Sequence, residues 1–389
     1  MNHTFQIGRN KLMLLQNGTR FFPQLCADID AAQNYVYLET YIFAADETGR
    51  LVSQALQRAA LRNVTVTVLI DGFGSAELPQ AWIDELREAG VDVQWFRREI
   101  SPFTLKPSRL RRLRRLHRKL AVIDGEIAFI GGINILNDIP EGADFDAPRL
   151  DYTVRVQGKF AIEVQEAMRR LWDVVKSASL RKRIGRLRAR ISGMNTKATG
   201  AFVELLLRDN LRHRRDIEHA YLQAIASAQR EIVIANAYFL PGRAFRHALM
   251  DAKKRGVRVV LLLQGKVEYI MQHYATLALY GKLLEAGIEV YEYRDSFLHA
   301  KVGVIDSEWA TVGSSNLEPF SFFLAREANL VVRDEAFAKS LRTSLFRAIE
   351  SGGMRVDKVD LNPISLILAR FSYGLIRLAI GLLGLSKKQ

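Results

Sequence analysis

Cysteine is almost missing from this chain. Among 389 residues only Cys26 carries a thiol, so an intrachain disulfide is impossible and a cysteine-based zinc site is not expected. Acidic residues are also short, with 42 Asp and Glu against 56 Lys and Arg, a net charge of +14. That imbalance favours polyanionic partners, nucleic acid or an anionic membrane surface, without choosing between them. The stretch Met1 to Asn17 has no long apolar run behind basic residues. Neither a secretory signal nor an N-terminal membrane span is therefore expected. What is present is ordinary: 49% hydrophobic and 25% charged residues, which excludes a disordered or collagen-like chain. The length predicts two or three domains.

The chain repeats itself once. Tyr35-Val-Tyr-Leu-Glu39-Thr-Tyr41-Ile-Phe43 is answered by Glu231-Ile-Val-Ile-Ala-Asn236-Ala-Tyr238-Phe239. Arg62 to Gly72 matches Arg255 to Gly265, and Glu88-Ala-Gly90-Val-Asp-Val93 matches Glu285-Ala-Gly287-Ile-Glu-Val290. Helical patterns lie between them, Thr48 to Leu61 and Pro79 to Ala89, answered by Ala244 to Arg255 and Glu268 to Ala286. Short β-branched runs alternating with helices predict an α/β architecture with buried strands. Two such halves predict one pseudo-symmetric molecule. Their boundary is expected within Lys176 to Gly200, rich in Arg, Lys, Ser and Gly, which divides the chain into 1–195, 196–360 and a tail, 361–389.

Each half carries the same constellation. The first has His117-Arg-Lys119-Leu-Ala-Val-Ile-Asp124, then Gly131-Gly132-Ile-Asn134. The second has His299-Ala-Lys301-Val-Gly-Val-Ile-Asp306, then Gly313-Ser314-Ser315-Asn316. Five residue types at identical offsets would match by chance on the order of once per 10⁷ starting positions, given typical residue frequencies. On a strand, residues i and i+2 share a face, so His and Lys point into one space. The glycine is expected to make a turn that lets a second strand bring Asn alongside. Two halves facing each other supply two imidazoles, two ammonium groups and two amides. That set suits displacement at a phosphodiester. Lys119, Lys301, Asn134 and Asn316 would bind non-bridging oxygens. One histidine would be neutral and attack phosphorus. The other would be protonated and supply the leaving alkoxide. Fixed cations already offset the phosphate charge, so neither metal nor cofactor is expected. His3, His213, His219, His247 and His273 lack this context and are expected to be structural or solvated.

With its two His-x-Lys-(x)₄-Asp motifs, the chain resembles the phospholipase D superfamily from about Phe5 to Glu350. The resemblance implies two phospholipase D-like α/β/α domains with the active site at their interface. It implies that His117 is the nucleophile and His299 the acid and base. Asp124 and Asp306, although part of the catalytic motifs, are implied to be largely structural. An acid further downstream orients each histidine in that family, and the matching positions are Asp151 and Glu327. Within the superfamily, Ala128 to Asn134, Ala235 to Pro241 and Trp309 to Leu317 resemble the bacterial cardiolipin synthases, of the B type that lacks paired N-terminal membrane helices. That implies phosphatidyl transfer from one phosphatidylglycerol to another, with glycerol leaving. It also implies a peripheral place on the cytoplasmic side of the cell inner membrane, with no nucleic acid partner. A lipid hydrolase, a nuclease of the same superfamily and a non-catalytic lipid-binding protein are the competing readings. Glu39, taken as the repeat partner of Asn236, is equally a structural residue or a substrate contact.

Two further features concern the surface. From Gly90 to His117 is 27 residues, against 12 from Gly287 to His299. Most of the excess is Lys106 to Leu116, in which Arg109, Arg111, Arg112, Arg114 and Arg115 interleave with Leu110, Leu113 and Leu116. This basic amphipathic pattern is expected to lie on an anionic bilayer. A second basic run, Arg181 to Arg190, is either solvated linker or membrane contact. In the tail, Ile364 to Leu385 is long enough to span a bilayer, but Arg370 and Arg377 oppose it. A helix lying in the interface is expected.

Overall fold

The computed structural model describes residues 4–97, 115–183, 202–209, 213–267, 270–318 and 325–358, together with Gly374. The basic insertion up to Arg114, the linker beyond Arg183 and, apart from Gly374, the apolar tail lie outside the described residues.

The first half contributes β1 (Thr4–Ile7), β2 (Asn10–Gln16), α1 (Asn17–Ala31), β3 (Tyr35–Thr40), α2 (Glu47–Leu61), β4 (Thr65–Asp71), α3 (Gln80–Glu88) and β5 (Asp92–Phe96). There follow β6 (Arg115–Leu116), β7 (Lys119–Ile123), β8 (Ile127–Gly131), β9 (Tyr152–Gly158) and α4 (Phe160–Arg183). The second half contributes β10 (Val203–Arg208), α5 (Asp216–Ser227), β11 (Glu231–Asn236), α6 (Arg243–Lys254), β12 (Arg258–Gln264), α7 (Ile270–Glu285) and β13 (Glu289–Tyr293). It ends with β14 (Lys301–Ile305), β15 (Trp309–Gly313), β16 (Ala325–Val332), α8 (Glu335–Gly352) and β17 (Gly353–Arg355).

The four helical patterns of the repeat became α2, α3, α6 and α7. In α2 the apolar residues Val52, Ala55, Leu56 and Ala59 recur at helical spacing, and all four are buried. Asp46 caps its start, accepting from the Gly49 N–H at 2.8 Å, which satisfies an otherwise orphaned donor. Helix α4 runs to Arg183, into the stretch expected to be linker.

One sheet has the order β1-β2-β9-β8-β7-β3-β4-β5, the other β10-β16-β15-β14-β11-β12-β13-β17. In each, three strands are parallel, β3-β4-β5 and β11-β12-β13, and the other neighbours in these orders are antiparallel; β6 of the first half adds to β16 of the second sheet in parallel. The parallel strands follow from the intervening helices, which return the chain to the same edge. Helices α1 to α3 cover the outer face of the first sheet, and α5 to α7 that of the second. The inner faces share one core, in which Leu120, Val122 and Val154 of the first half join Val302, Val312 and Leu330 of the second. Helices α4 and α8 pack into the same core. The molecule is two α/β/α lobes fused along their inner layers.

Register corrects one element of the repeat. Val36 lies opposite Ile123, and Ile232 opposite Ile305. The counterpart of Asn236 is therefore Thr40, and that of Glu39 is Ala235. On a strand a slip of one residue reverses the face, so Glu39 does not occupy the Asn236 position.

Candidate active site

The histidines sit where each half hands a strand to the other. Strand β6 pairs with β16 of the second sheet, Leu116 opposite Arg326. The next N–H, that of His117, donates to the Arg326 carbonyl at 2.9 Å. The second half mirrors this. Leu150 bridges Leu298, and the His299 N–H donates to the Leu150 carbonyl at 2.8 Å. The residue before each histidine is also anchored. The Leu116 N–H reaches Asp71 Oδ2 at 2.7 Å, and the Leu298 N–H reaches Gln264 Oε1 at 2.8 Å.

The acids follow the same crossing. Residues Asp151 and Glu327 come directly after the paired Leu150 and Arg326. His117 Nδ1 lies 3.0 Å from Glu327 Oε2, and His299 Nδ1 lies 2.6 Å from Asp151 Oδ2. Each half's histidine is held by the other half's carboxylate. An Nδ1–H committed to a carboxylate leaves Nε2 to face outward with its lone pair. Lys119 Nζ donates to the carbonyl of His117 at 2.8 Å, and Lys301 Nζ donates to that of His299. Both lysines are buried. Asn134 and Asn316 are buried too. Asn134 Oδ1 accepts from the Ile42 N–H at 3.2 Å, whereas the buried Asn316 Oδ1 has no hydrogen-bond partner among the described residues.

The expected turn glycines have a different task. Gly131 and Gly313 end β8 and β15. A Cβ on Gly131 would stand 2.5 Å from Thr153 Cα, and one on Gly313 would stand 2.3 Å from Asn329 Cγ. At Gly132 it would stand 2.3 Å from Asp151 Oδ1. Close approach, not a turn, demands glycine there. The actual turns follow Asp124 and Asp306, both at positive φ. Asp124 accepts the N–H groups of Gln33, Asn34 and Tyr35, each at 2.8 Å. Asp306 accepts those of Gln229, Arg230 and Glu231 at 2.7 to 2.9 Å. These aspartates fasten the entry to β3 and β11 at the end of β7 and β14 remote from the histidines.

Burial dominates the electrostatics. It pulls the His117 imidazole down to about 4, against the Glu327 carboxylate, with Lys119 repelling the charged form further. His299 is held well below its ordinary value, first by burial and then by Lys301, Arg149 and Lys119. Burial also lowers Lys119 to about 7, with Lys301 adding to it. Asp151 is raised to about 6 by burial, opposed by Lys301. Burial pushes Glu327 up as well, but His117, Arg208 and Lys119 outweigh it and hold the carboxyl below its ordinary value. With no substrate present both imidazoles are thus neutral at pH 7. Desolvation and two ammonium groups act on both rings in the same direction.

Four residues beyond the motifs belong to the site. The Tyr41 ring lies 4.8 Å from that of His117, and Lys119 Nζ stands 5.3 Å from the centre of the same ring. Arg208 and Ser314 both contact Glu327. Arg118, between His117 and Lys119, forms a buried ion pair with Glu39 at 2.7 Å, which makes Glu39 a packing residue of the first lobe. The signal for Ser314 was a departure within the repeat, serine where the first half has Gly132. Arg208 gave no comparable sign. Arg115 is a correction. Expected among the membrane-facing arginines, it lies 3.7 Å from the buried Asp71, with 13% of its side chain exposed. Of the other histidines, His213 meets Asp216 at 2.6 Å on the surface. Among the described residues no cluster of three or more His, Cys, Asp or Glu side chains is placed to hold a metal ion.

Paired imidazoles, crossed carboxylates and two buried lysines on a duplicated α/β/α frame make up the site. The family model described as "Cardiolipin synthase, PLD-like domain" matches residues 25–139 and 221–348. The chain is 38% identical over 362 residues to cardiolipin synthase B of Shigella flexneri, covering 90% of this chain and 83% of that one. It is 32% identical over 341 residues to the major cardiolipin synthase ClsA of Bacillus subtilis, covering 87% and 69%. In fold it matches the crystal structure of phosphatidylserine synthase from Haemophilus influenzae, with a TM-score of 0.70 at 16% identity over 99% and 96% of the two chains. The chain belongs to the cardiolipin synthase family of phospholipase D-like enzymes.

Proposed function

We propose that the protein is a cardiolipin synthase that moves a phosphatidyl group from one phosphatidylglycerol to another through a phosphohistidine. The observation that carries this reading is the crossed pairing, in which each buried imidazole holds the other half's carboxylate through Nδ1, and each motif lysine bonds the carbonyl of its own histidine. Asn134 commits its oxygen to the Ile42 N–H, which leaves its NH₂ to donate to a phosphate oxygen. Asn316, its buried carboxamide oxygen unpaired among the described residues, supplies the matching amide.

His117 is the nucleophile. Its ring stays neutral to about pH 4, so the Nε2 lone pair is available at any physiological pH. The incoming phosphodiester anion offsets the two ammonium charges and raises the affinity of His299 for a proton. As Nε2 of His117 bonds to phosphorus, the glycerol oxygen leaves and takes the proton from His299 Nε2. Asp151, 2.6 Å from Nδ1, stabilises the imidazolium before that transfer. In the second step the glycerol hydroxyl of another phosphatidylglycerol gives its proton to His299 and attacks phosphorus. The His117 bond breaks, and cardiolipin is released. Transfer outruns hydrolysis when water is kept out and the acceptor is held, and the buried dyads and lysines fit that requirement.

The net charge of +14 and the basic insertion suit a peripheral enzyme on the anionic cytoplasmic face of the inner membrane. Among the described residues no helix is long and apolar enough to cross a membrane. The test is to incubate purified protein with vesicles of labelled phosphatidylglycerol and resolve the products. Cardiolipin plus glycerol is expected, and His117→Ala abolishes both. Phosphatidic acid alone would make the protein a hydrolase, and nucleic acid cleavage without lipid turnover would overturn the substrate class.

A further inference from the structure

The two half-sites are copies in outline and differ at the positions behind their carboxylates. Strand β10 runs antiparallel to β16 and places Arg208 opposite Glu327. In the first half β2 runs against β9 in the same way. One step beyond its last pair, Asn17 meets Asp151, the two backbones joined by Asn17 N–H to Asp151 O at 2.8 Å. Arg208 and Asn17 are therefore counterparts. The Arg208 side chain is completely buried, with Nη2 3.4 Å from Glu327 Oε1 and Nη1 donating to Ser315 Oγ at 3.2 Å. Asn17 instead accepts from the Asp151 backbone N–H through Oδ1 at 3.3 Å and brings no charge. The next position differs in the same sense. Ser314 donates its hydroxyl to Glu327 Oε2 at 2.5 Å, whereas its counterpart Gly132 has no side chain. Glu327 thus receives a guanidinium and a hydroxyl from behind, where the Asp151 carboxylate receives the neutral backbone N–H of Tyr152 at 2.8 Å and packs against Gly132.

We propose that Arg208 is the positioning residue that makes the duplicated site asymmetric, fixing Glu327 as a permanent anion so that His117 is the nucleophile, and leaving the Asp151–His299 pair to carry the mobile proton. The roles named rest on the phosphotransfer reading above; the asymmetry itself does not. A carboxylate backed by a buried cation keeps its charge. It therefore accepts the Nδ1–H of His117 in every step and holds the ring in one tautomer. A carboxylate without that backing shares a proton with its imidazole as one unit, which an acid and base must do.

The charged neighbours on all sides agree with this division. Glu327 faces His117, Arg208 and Lys119. Asp151 faces Lys301, the Tyr152 N–H, Lys119 and Arg149. His117 feels Glu327, Lys119 and Lys301, and His299 feels Lys301, Arg149, Lys119 and His117. Arg208 is lowered to about 10 by burial, with Glu327, Glu318 and Glu218 opposing, so it stays cationic at neutral pH. Removing a cation from the Glu327–His117 pair favours proton uptake by that pair.

The experiment is a pH titration of the full chain labelled with ¹⁵N-histidine, its His117 signal assigned by loss in His117→Asn. In the native protein His117 takes up no proton above pH 5. In Arg208→Gln the midpoint moves upward toward about 6, near the ordinary imidazole value, and Arg208→Lys keeps it low. Should Arg208→Gln fail to fold by circular dichroism, Ser315→Ala removes one anchor of the guanidinium and gives a smaller upward shift. An unchanged His117 titration in the folded variant, or a shift in Arg208→Lys equal to that in Arg208→Gln, overturns the proposal. A second readout is acid-quenched phosphoenzyme from ³²P-phosphatidylglycerol. Between pH 8 and pH 5.5 the label falls about fourfold in Arg208→Gln and much less in the native protein. Absence of label in the native protein at every pH would count against the phosphohistidine reading while leaving the histidine titration to decide on Arg208.

Discussion

His117 and Glu327 are 210 residues apart in the chain and 3.0 Å apart in space. The reciprocal pair, Asp151 and His299, spans 148 residues at 2.6 Å. Neither half-site is complete within its own lobe, so chemistry and lobe docking are one event. The backbone pairs Leu116–Arg326 and Leu150–Leu298 set both histidines before their side chains make any contact.

Glu327→Gln removes the anion that fixes the His117 tautomer and leaves the fold's backbone pairing intact. Phosphoenzyme formation is expected to fall on the order of 10³-fold, within the range for a disabled acid–base partner. Rapid-quench labelling measures it. A loss smaller than tenfold would mean that His117 does not rely on this carboxylate.

Asp124 and Asp306 each accept three backbone N–H groups. Replacing either with alanine leaves those donors unpaired in a tight turn, at a cost of about 3 kcal/mol. Urea unfolding should register that loss, while kcat of the remaining folded enzyme stays within tenfold. A collapse of kcat with unchanged stability would move these residues from the frame into the chemistry.

Lys119 gives the fold a pH dependence of definite sign. Its ammonium is lowered from 10.5 to about 7 by burial, so between those values the unfolded chain binds more protons than the native one. Stability from this group is present in full above 10.5 and is lost as pH falls through about 7. From pH 9 to pH 7 it contributes a decrease of about 2 kcal/mol, which should vanish in Lys119→Met. Equal pH slopes for the two proteins in chemical denaturation would contradict this assignment.

The basic insertion yields a prediction from sequence alone. Charge reversal at Arg111, Arg112 and Arg114 should weaken partitioning onto vesicles containing phosphatidylglycerol, by about 1 kcal/mol for each arginine neutralised. Arg115→Glu is expected to behave differently. Placed 3.7 Å from Asp71, the new carboxylate destabilises the segment that carries His117, and activity falls without a matching loss of vesicle binding. Sedimentation with vesicles and an activity assay on the same samples separate the two effects.

The repeat, the two motifs, and the alternation of β-branched strands with amphipathic helices were written in local order, and local order is what sequence records. Strand periodicity placed His117 beside Lys119, and helical spacing placed Val52, Leu56 and Ala59 on one buried face. The acids were legible as positions, Asp151 and Glu327, only through the family resemblance. Their crossed assignment was not, since it depends on which sheet edge β6 and Leu298 join, a contact between distant segments. The same holds for Arg208, whose role exists only through its register opposite Glu327, and for Arg115, whose charge turns inward to Asp71. Composition and spacing determined which chemical groups this protein owns and how each lobe folds. Docking of the two inner layers alone decided which group faces which, because desolvation and charge pairing act across space and carry no trace in chain distance.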